Sequence, residues 1–546
     1  PLLSANVVDQ LTGRGTTTNR DGFFRLNLPD SSSVAVLRIS YIGYYSVVDT
    51  LYPPYGLVTD TVQLPSRAEE LSQVEISGNR FGDPGLTVIQ PRAAQYIPNA
   101  LNDFNAITAT LAGVSSSNDL SSTYRVRGGN FDENMIFVNG IPVYRPFFIR
   151  AAQQEGMSFV NPDMVAGIGF SAGGWSARYG DRLSSLMLIE YQHPDTLEGR
   201  VSASALGGSV YAGGRVGNTS ISVGARYRNL QYLLNAIEVE GQYFPRFGDI
   251  QVNARHFFDT KGKGLMTLDV LASFSTNDYE VFPESRQTTF GTFTEQRSLF
   301  VGLTGAESTS FRVWQGGMRL QHDVSDRFQW QGILSGFLTT EREFSDVEGA
   351  YILCRIRRGG DFSPNQCLQT LGVGSNYNYA RNSLSAGIIT AQLDATFLPS
   401  DVVEIESGIG YQYRAAEDLL YEFSFLDSAG FIRFNEQDFA RIENEVAAHH
   451  VYGYGQITYQ PGRDVTLQAG IRPRYNTLNQ QLTVGANMRM DAGISSGFRY
   501  FISTGLYHQP PFYREMRDFN GSLNTRLLAQ SSLHVITGLQ KNYRFW

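Results

Sequence analysis

The feature that most constrains this chain is a two-residue alternation that recurs from about residue 196 onward. Ile221, Val223, Ala225 and Tyr227 alternate with Ser222, Gly224, Arg226 and Arg228. Val403, Ile405, Ile409, Tyr411 and Tyr413 alternate with Glu404, Glu406, Gly408, Gly410, Gln412 and Arg414. Leu467, Ala469 and Ile471 alternate with Gln468, Gly470 and Arg472, and Val484, Ala486, Met488 and Met490 with Gly485, Asn487, Arg489 and Asp491. Neighbouring side chains on a strand point to opposite faces, so each segment has one apolar face and one that mixes both charge signs with glycine. One such strand also fits a sandwich with its polar face in water. Repeated in segments of ~10 residues, the pattern favours a barrel with lipid outside and a wet or plugged lumen.

The connections carry a second signal. Short turns recur at Val216-Gly217-Asn218, Thr260–Gly264, Val324-Ser325-Asp326, Pro399-Ser400-Asp401 and Pro461–Asp464. Long polar stretches lie between them, near 231–247, 277–310, 342–382, 415–447 and 508–531. Short turns on one rim and long loops on the other are what an outer-membrane barrel shows, whereas a secreted sandwich has no reason to keep that parity. The formal net charge of −8 argues against a nucleic-acid partner, whose phosphates would demand a basic face. No run approaches the ~18 apolar residues of a membrane-spanning helix, which barrel strands do not need.

Residues 124–146 are the most informative stretch outside the repeats. Tyr124–Arg127 and Met135–Val138 are β-type runs around a Gly128-Gly129-Asn130 turn and the acidic pair Asp132 and Glu133. Asn139-Gly140 then leads into Ile141–Tyr144, and Asn-Gly between apolar runs is a strong hairpin signal. Arg125 and Arg127 fall on one face of their strand and Val126 on the other, which suits either an exposed sheet face or, if this segment sits inside a barrel, arginines paired with wall carboxylates. This stretch resembles the plug domain of TonB-dependent outer-membrane receptors, in which an Arg-Gly-Gly turn precedes a strand ending in Asp-Gly-x-Pro. Arg125, Arg127, Gly128, Gly129, Asn139, Gly140 and Pro142 carry the match, with Asn139 standing where that pattern has Asp. It continues through Asn161-Pro162-Asp163, Gly173-Gly174 and Ala177–Ser185.

The resemblance implies a mainly β protein with the following domains. Residues 1–64 look like a carboxypeptidase-regulatory-like β-sandwich lacking its first strand, with an Ig-like adhesion module as the alternative. Residues 65–80 are a linker, 81–195 an α+β plug with a helical pattern over Ala100–Leu111, and 196–546 an incomplete antiparallel transmembrane β-barrel. The turns predict about fourteen strands, against roughly 22 in plugged outer-membrane transporters. The expectation is a fragment cut at both ends, although Tyr543-Arg544-Phe545-Trp546 resembles the aromatic end of a complete barrel and leaves a smaller closed one open. Within the linker, Glu70, Leu71, Ser72, Gln73, Val74, Glu75, Ile76 and Ser77 match the place of the TonB box, a segment that pairs with a partner's strand edge.

By the same resemblance the chain sits in the outer membrane of a Gram-negative bacterium and takes up a nutrient such as a siderophore, glycan or peptide. Its implied partners are the TonB energy-coupling complex, outer-membrane lipid, a small ligand of unknown identity and a surface lipoprotein. No cofactor is implied. The alternative is a multidomain β-sandwich adhesin or binding protein without transport.

Little in the chain speaks for catalysis. No Gly-x-Ser-x-Gly elbow, His-Glu-x-x-His or phosphate-binding glycine loop occurs. Glu445, His449 and His450 make a poor metal set, because the adjacent histidines point to opposite strand faces, so no metal site is expected. Cys354 and Cys367 are the only cysteines, and an even count in an extracellular stretch points to a disulfide. Tyr232, Tyr243, Phe244, Tyr279, Phe282, Tyr377, Tyr379, Phe512 and Tyr513 could stack on a ligand or form an interfacial girdle.

Overall fold

The computed structural model describes residues 5–12, 14–19, 22–27, 34–41, 46–52, 61–64, 85–89, 105–116, 123–145, 157–232, 242–260, 264–292, 295–356, 367–428, 431–433, 439–462, 464–495, 498–518 and 521–541. The chain forms two compact units, Pro1–Glu75 and Ile76–Trp546.

In the first unit, β1 (Asn6–Asp9), β2 (Gly15–Thr17), β3 (Ala35–Ser40) and β4 (Val47–Leu51) make an antiparallel sheet in the order β2-β1-β3-β4. Val7, Leu37 and Ile39 alternate onto one face and form its core. Buried Asp9 accepts the backbone N–H groups of Leu11 and Val36, each at 3.2 Å, so a polar group in the core pins the turn to β3.

The second unit opens with a plug of β5 (Thr87–Ile89), α1 (Asn105–Thr108), β6 (Val114–Ser116), β7 (Tyr124–Val126), β8 (Asn134–Val138), β9 (Ile141–Val143), β10 (Val165–Ser171) and β11 (Ser185–Tyr191). Five strands form a mixed sheet ordered β5-β10-β11-β8-β9, with β8 and β11 parallel, and β6 pairs with β7 apart from it. The helix expected over 100–111 is a single described turn, residues 100–104 lying outside the described set. It stops because Gly113, at φ 80°, bends the chain into β6 and accepts the Arg127 N–H at 2.8 Å.

A continuous antiparallel wall follows. Its main path is β12 (Glu198–Ser204), β13 (Gly207–Val216), β14 (Thr219–Asn229), β15 (Gln242–Phe258), β16 (Leu265–Phe282), β18 (Gln296–Ser325), β19 (Phe328–Ile356), β20 (Gln369–Ser400), β21 (Val403–Ser428), β23 (Phe439–Tyr459), β24 (Val465–Asn476), β25 (Gln481–Ser495), β26 (Phe498–Gln509) and β27 (Gln530–Lys541). Two short strands, β17 (Arg286–Gly291) and β22 (Phe431–Arg433), extend the ladders of β18 and β21. The fourteen-strand path agrees with the turn count and excludes a chain of separate sandwiches.

The strands are far longer than the alternation alone indicated. β18, β19 and β20 run for 30, 29 and 32 residues, whereas a tilted crossing takes about 9–11. Much of 277–310, 342–382 and 415–447, read from the sequence as loops, is paired strand: Ser308 faces Phe344, Phe344 faces Arg381, and Tyr379 faces Phe423. Continuing the ladder satisfies the backbone outside the membrane, and side-chain pairs reinforce it. The Tyr379 and Phe423 rings stack at 4.6 Å, and Arg381 lies 3.3 Å above the Phe344 ring. Cys354 and Cys367 are bonded near the top of the β19–β20 hairpin; closing such a loop stabilises by roughly 3 kcal/mol.

Alternation sorts the two faces of the wall. Trp314, Leu338 and Ile389 are exposed on the outer face, while Val313 and Phe337 are buried toward the lumen. Two lumenal glycines have a steric purpose. A Cβ at Gly408 or Gly410 would lie 2.4 Å from the Tyr454 ring or 2.1 Å from the Tyr452 ring. Glycine therefore lets both tyrosines lie across the sheet toward the plug.

Candidate functional site

The plug meets the wall through its β8–β9 hairpin, its 158–160 segment and residues 177–193. Asn139 and Gly140 sit at φ 51° and 77°, as a two-residue hairpin with primed geometry requires, and Val138 pairs with Ile141. The Asn139 side chain bonds in both directions: its amide donates to Asn253 Oδ1 of the wall at 2.7 Å, and its oxygen accepts the Tyr191 N–H at 2.8 Å. Pro142 O accepts from Gln315 of the wall at 3.3 Å. Gly140 leaves room for a wall guanidinium, since a Cβ there would approach Arg319 Nη1 to 3.0 Å. Gly128 supplies φ 83°, and a Cβ on Gly129 would lie 1.8 Å from Ser184 Oγ. The Arg-Gly-Gly turn is thus needed for backbone shape and close packing.

The expectation that Arg125 and Arg127 meet wall carboxylates is corrected. Both are exposed, Val126 alone is buried, and no described ion pair joins them to the wall. Among the described strands β7 pairs with β6 and not with the wall, and both arginines keep their side chains in the open. Other arginines take that role. Arg178 of the plug lies 3.5 Å from Asp394 and 3.8 Å from Glu406. Arg145 pairs with Glu341, and Arg226 of the wall meets Asp249 at 2.7 Å while donating to the plug carbonyls of Ser158, Phe159 and Val160. Asp269 collects Arg255 at 2.5 Å and Arg319 at 2.8 Å beside Glu190 and His193 of the plug.

The stretch between β26 and β27 folds into the lumen instead of projecting as a loop. Tyr513 donates to Asp418 at 2.7 Å, Arg517 meets the same carboxylate at 3.1 Å, and Arg514 pairs with Glu341. Phe512 lies under Arg182 of the plug, 4.8 Å from guanidinium carbon to ring centre. A cavity of about 80 Å³ remains between this segment and the wall, lined by Phe311, Glu341, Asp418 and Tyr513 among others. Glu341 thus joins plug, wall and in-folded segment through Arg145 and Arg514.

The enclosed plug groups titrate away from their ordinary values. Burial alone would raise the Asp181 carboxyl, but Arg474, Arg472 and Arg414 outweigh it and hold it well below the usual carboxylate range. Burial raises Glu190, against the pull of Arg319 and Arg255. His193 is pushed down to about 4 by burial, with Arg255 and Arg319 adding to the effect and Asp269 opposing it.

Glu70–Ser77 lie outside the described residues. Asp132 and Glu133 sit in a 3-10 turn, Phe131–Glu133, whose Glu133 side chain accepts from Ser184. His449 bonds Tyr411 at 2.7 Å on the outer face, and His450 is buried toward the lumen. The rings of Tyr243 and Phe244 meet those of Tyr279 and Phe282 diagonally across β15 and β16, so those aromatics pack on one another between neighbouring strands.

Residues 87–184 match the family model of the TonB-dependent receptor plug domain. No curated protein sequence matches the chain significantly. Among solved structures the chain is similar to the ferric preacinetobactin receptor BauA of Acinetobacter baumannii, with TM-score 0.50, 12% identity, and 84% of this chain and 69% of that one covered. It is similar to the outer membrane transporter YddB of Escherichia coli, with TM-score 0.52, 10% identity and coverages of 84% and 67%. It also resembles FpvA of P. aeruginosa, solved bound to heterologous pyoverdines, with TM-score 0.51, 12% identity and coverages of 84% and 60%. At these identities the likeness is one of fold.

Proposed function

We propose that this chain, a TonB-dependent receptor by its plug, serves in active uptake of a nutrient across the outer membrane of a Gram-negative bacterium. The observation that carries the reading is a plug with the family's turn chemistry seated against a barrel wall by buried ion pairs. A plug so held blocks passage at rest, and transport needs work to move it. In this reading ligand binds between the plug apex and the extracellular wall, favouring a signalling state. The coupling complex then pulls on Glu70–Ser77. The partition into an N-terminal module (1–64), linker (65–80), plug (81–195) and wall (196–546) belongs to the same proposal. So do the assignment of 1–64 as carboxypeptidase-regulatory-like and a lipoprotein partner at the outer rim.

Transport accounts for the site without any catalytic group. The test is uptake by cells carrying the complete gene product, with and without residues 70–77. Uptake that requires both those residues and the proton-motive force supports active transport. Uptake that persists without them overturns the coupling assignment and favours a passive pore.

A further inference from the structure

Most of the plug–wall interface balances its charges; one part does not. Between the β8–β9 hairpin and strands β20–β24 lies a cavity of about 90 Å³, with Tyr144, Arg182, Arg414 and Arg472 in its lining. Asp181 also lines it, and Arg182 of the plug with Arg414, Arg472 and Arg474 of the wall, Arg474 from outside the lining, all act on that one carboxylate. Arg474 touches it directly and Arg472 Nη2 stands 3.7 Å away. Asp132 adds a second carboxylate that acts on Arg182, yet its Oδ1 has no hydrogen-bond partner.

Neutral acceptors do not make up the difference. Gln412 Oε1 is shared by Arg414 Nε at 2.6 Å and Arg474 Nη2 at 3.2 Å, which uses both its lone pairs. Arg472 Nη1 reaches the carbonyl of Arg178 at 2.9 Å. The Nε atoms of Arg472 and Arg474 are buried without an acceptor, and Arg474 as a residue is only 5% exposed. A buried polar atom left unpaired is costly, and more so when it carries charge. The guanidiniums are also held in place, since Tyr452 lies 4.4 Å from Arg472 and 5.7 Å from Arg474. Opposite them the Tyr144 hydroxyl bonds Thr390 and accepts from Gln412 Nε2 at 3.2 Å. Fixed, forked donors in charge surplus around a small cavity are the chemistry that binds a planar or tetrahedral oxyanion.

We infer that this plug–wall cavity is a binding site for a carboxylate or phosphate group, held by Arg414 and Arg472 with Arg182 from the plug side, while Arg474 supports them through Asp181 and Gln412. The site stands as an anion site whether or not the chain transports. If it does transport, the oxyanion belongs either to the imported molecule or to an inorganic ion that locks the plug. A bound anion removes the repulsion among the arginines and ties plug to wall.

The test is thermal unfolding of the full chain purified in detergent, at fixed ionic strength, with phosphate or citrate replacing chloride. A saturable rise in Tm with either ion is expected, and its half-saturation concentration should increase at least tenfold in Arg414→Gln and Arg474→Gln but not in Arg125→Gln. Saturation by phosphate alone identifies a phosphoryl site, and saturation by citrate alone a carboxylate site. Arg414 is only half-buried, so its variant keeps the test valid if Arg474→Gln fails to fold. Absence of a saturable rise beyond chloride overturns the inference, as does an unchanged response in Arg414→Gln. So would a fall of several degrees for Arg414→Gln in chloride alone, which would make Arg414 an internal counter-charge.

Discussion

The two sides of the plug–wall interface use the same residue types to opposite ends. On the β14–β16 side, Arg226 is spent on Asp249 and three plug carbonyls, and Asp269 faces two arginines beside Glu190 and His193. On the β21–β24 side, four guanidiniums surround Asp181, with Asp132, one glutamine oxygen and backbone carbonyls as their further acceptors. The first arrangement is closed as to charge, a structural clamp that fixes where the plug sits. The second is open, with donors to spare. A clamp should respond to mutation by losing stability, whereas an open cluster should respond mainly to what is dissolved around it.

The largest effect should therefore come from the clamp. Asp249→Ala leaves Arg226 buried with carbonyl partners only, and breaking a buried pair in this way costs about 3–5 kcal/mol. The expected outcome is a lower unfolding midpoint in denaturant and a plug that becomes protease-sensitive while the wall persists. A loss under about 1 kcal/mol would mean that the β14–β16 side is no more closed than the other, and the comparison would fail.

Next comes pH, which should separate the sides. Burial pushes His193 down to about 4 in the folded chain, below the ordinary imidazole value of 6.5. Its contribution is intact above pH 6.5 and is lost progressively as pH falls toward 4, because the unfolded chain takes up the proton first. The loss reaches at most about 3 kcal/mol, from about 1.4 kcal/mol per pH unit. His193→Gln should remove that slope relative to the parent chain. Asp181 behaves differently: its depressed carboxyl stabilises above the ordinary carboxylate range and keeps doing so until pH falls through its lower folded value. Stability curves of the parent chain and His193→Gln that run parallel from pH 7 to 4 would refute the His193 assignment.

How much of this was legible beforehand depended on the range of the interaction. The Asn139-Gly140 hairpin, the rim parity and the fourteen-strand path are local patterns, and periodicity exposes them. Interface partners are not local: Arg178 and Asp394 are brought together only once the wall has curved round the plug. Strand neighbours could not reveal that Arg125 and Arg127 stay exposed, because the alternation fixes which residues share a face but not where that face looks. The heights of β18–β21 were in principle readable, since Tyr377, Tyr379 and Arg381 continue the alternation above the crossing segment. Their polarity made them resemble loop. Nothing in residues 512–517 announced that this segment folds inward, because Arg514 and Arg517 find Glu341 and Asp418 on distant strands.

The smallest effects test whether the turn motif is itself part of the clamp. Asn139→Asp would restore the residue that the plug pattern carries, yet here it removes the amide that donates to Asn253 Oδ1 and buries a carboxylate instead. Asn253 can answer by turning its own amide round, which limits the expected loss to about 1–3 kcal/mol. Asn253→Asp in the same chain would then deepen the loss, because two carboxylates would face each other. Arg125→Ala, at an exposed position, should stay within about 0.5 kcal/mol of the parent chain. If Asn139→Asp were as silent as Arg125→Ala, the hairpin would only shape the plug, and the hold on this side would rest on Arg226, Asp249 and Asp269.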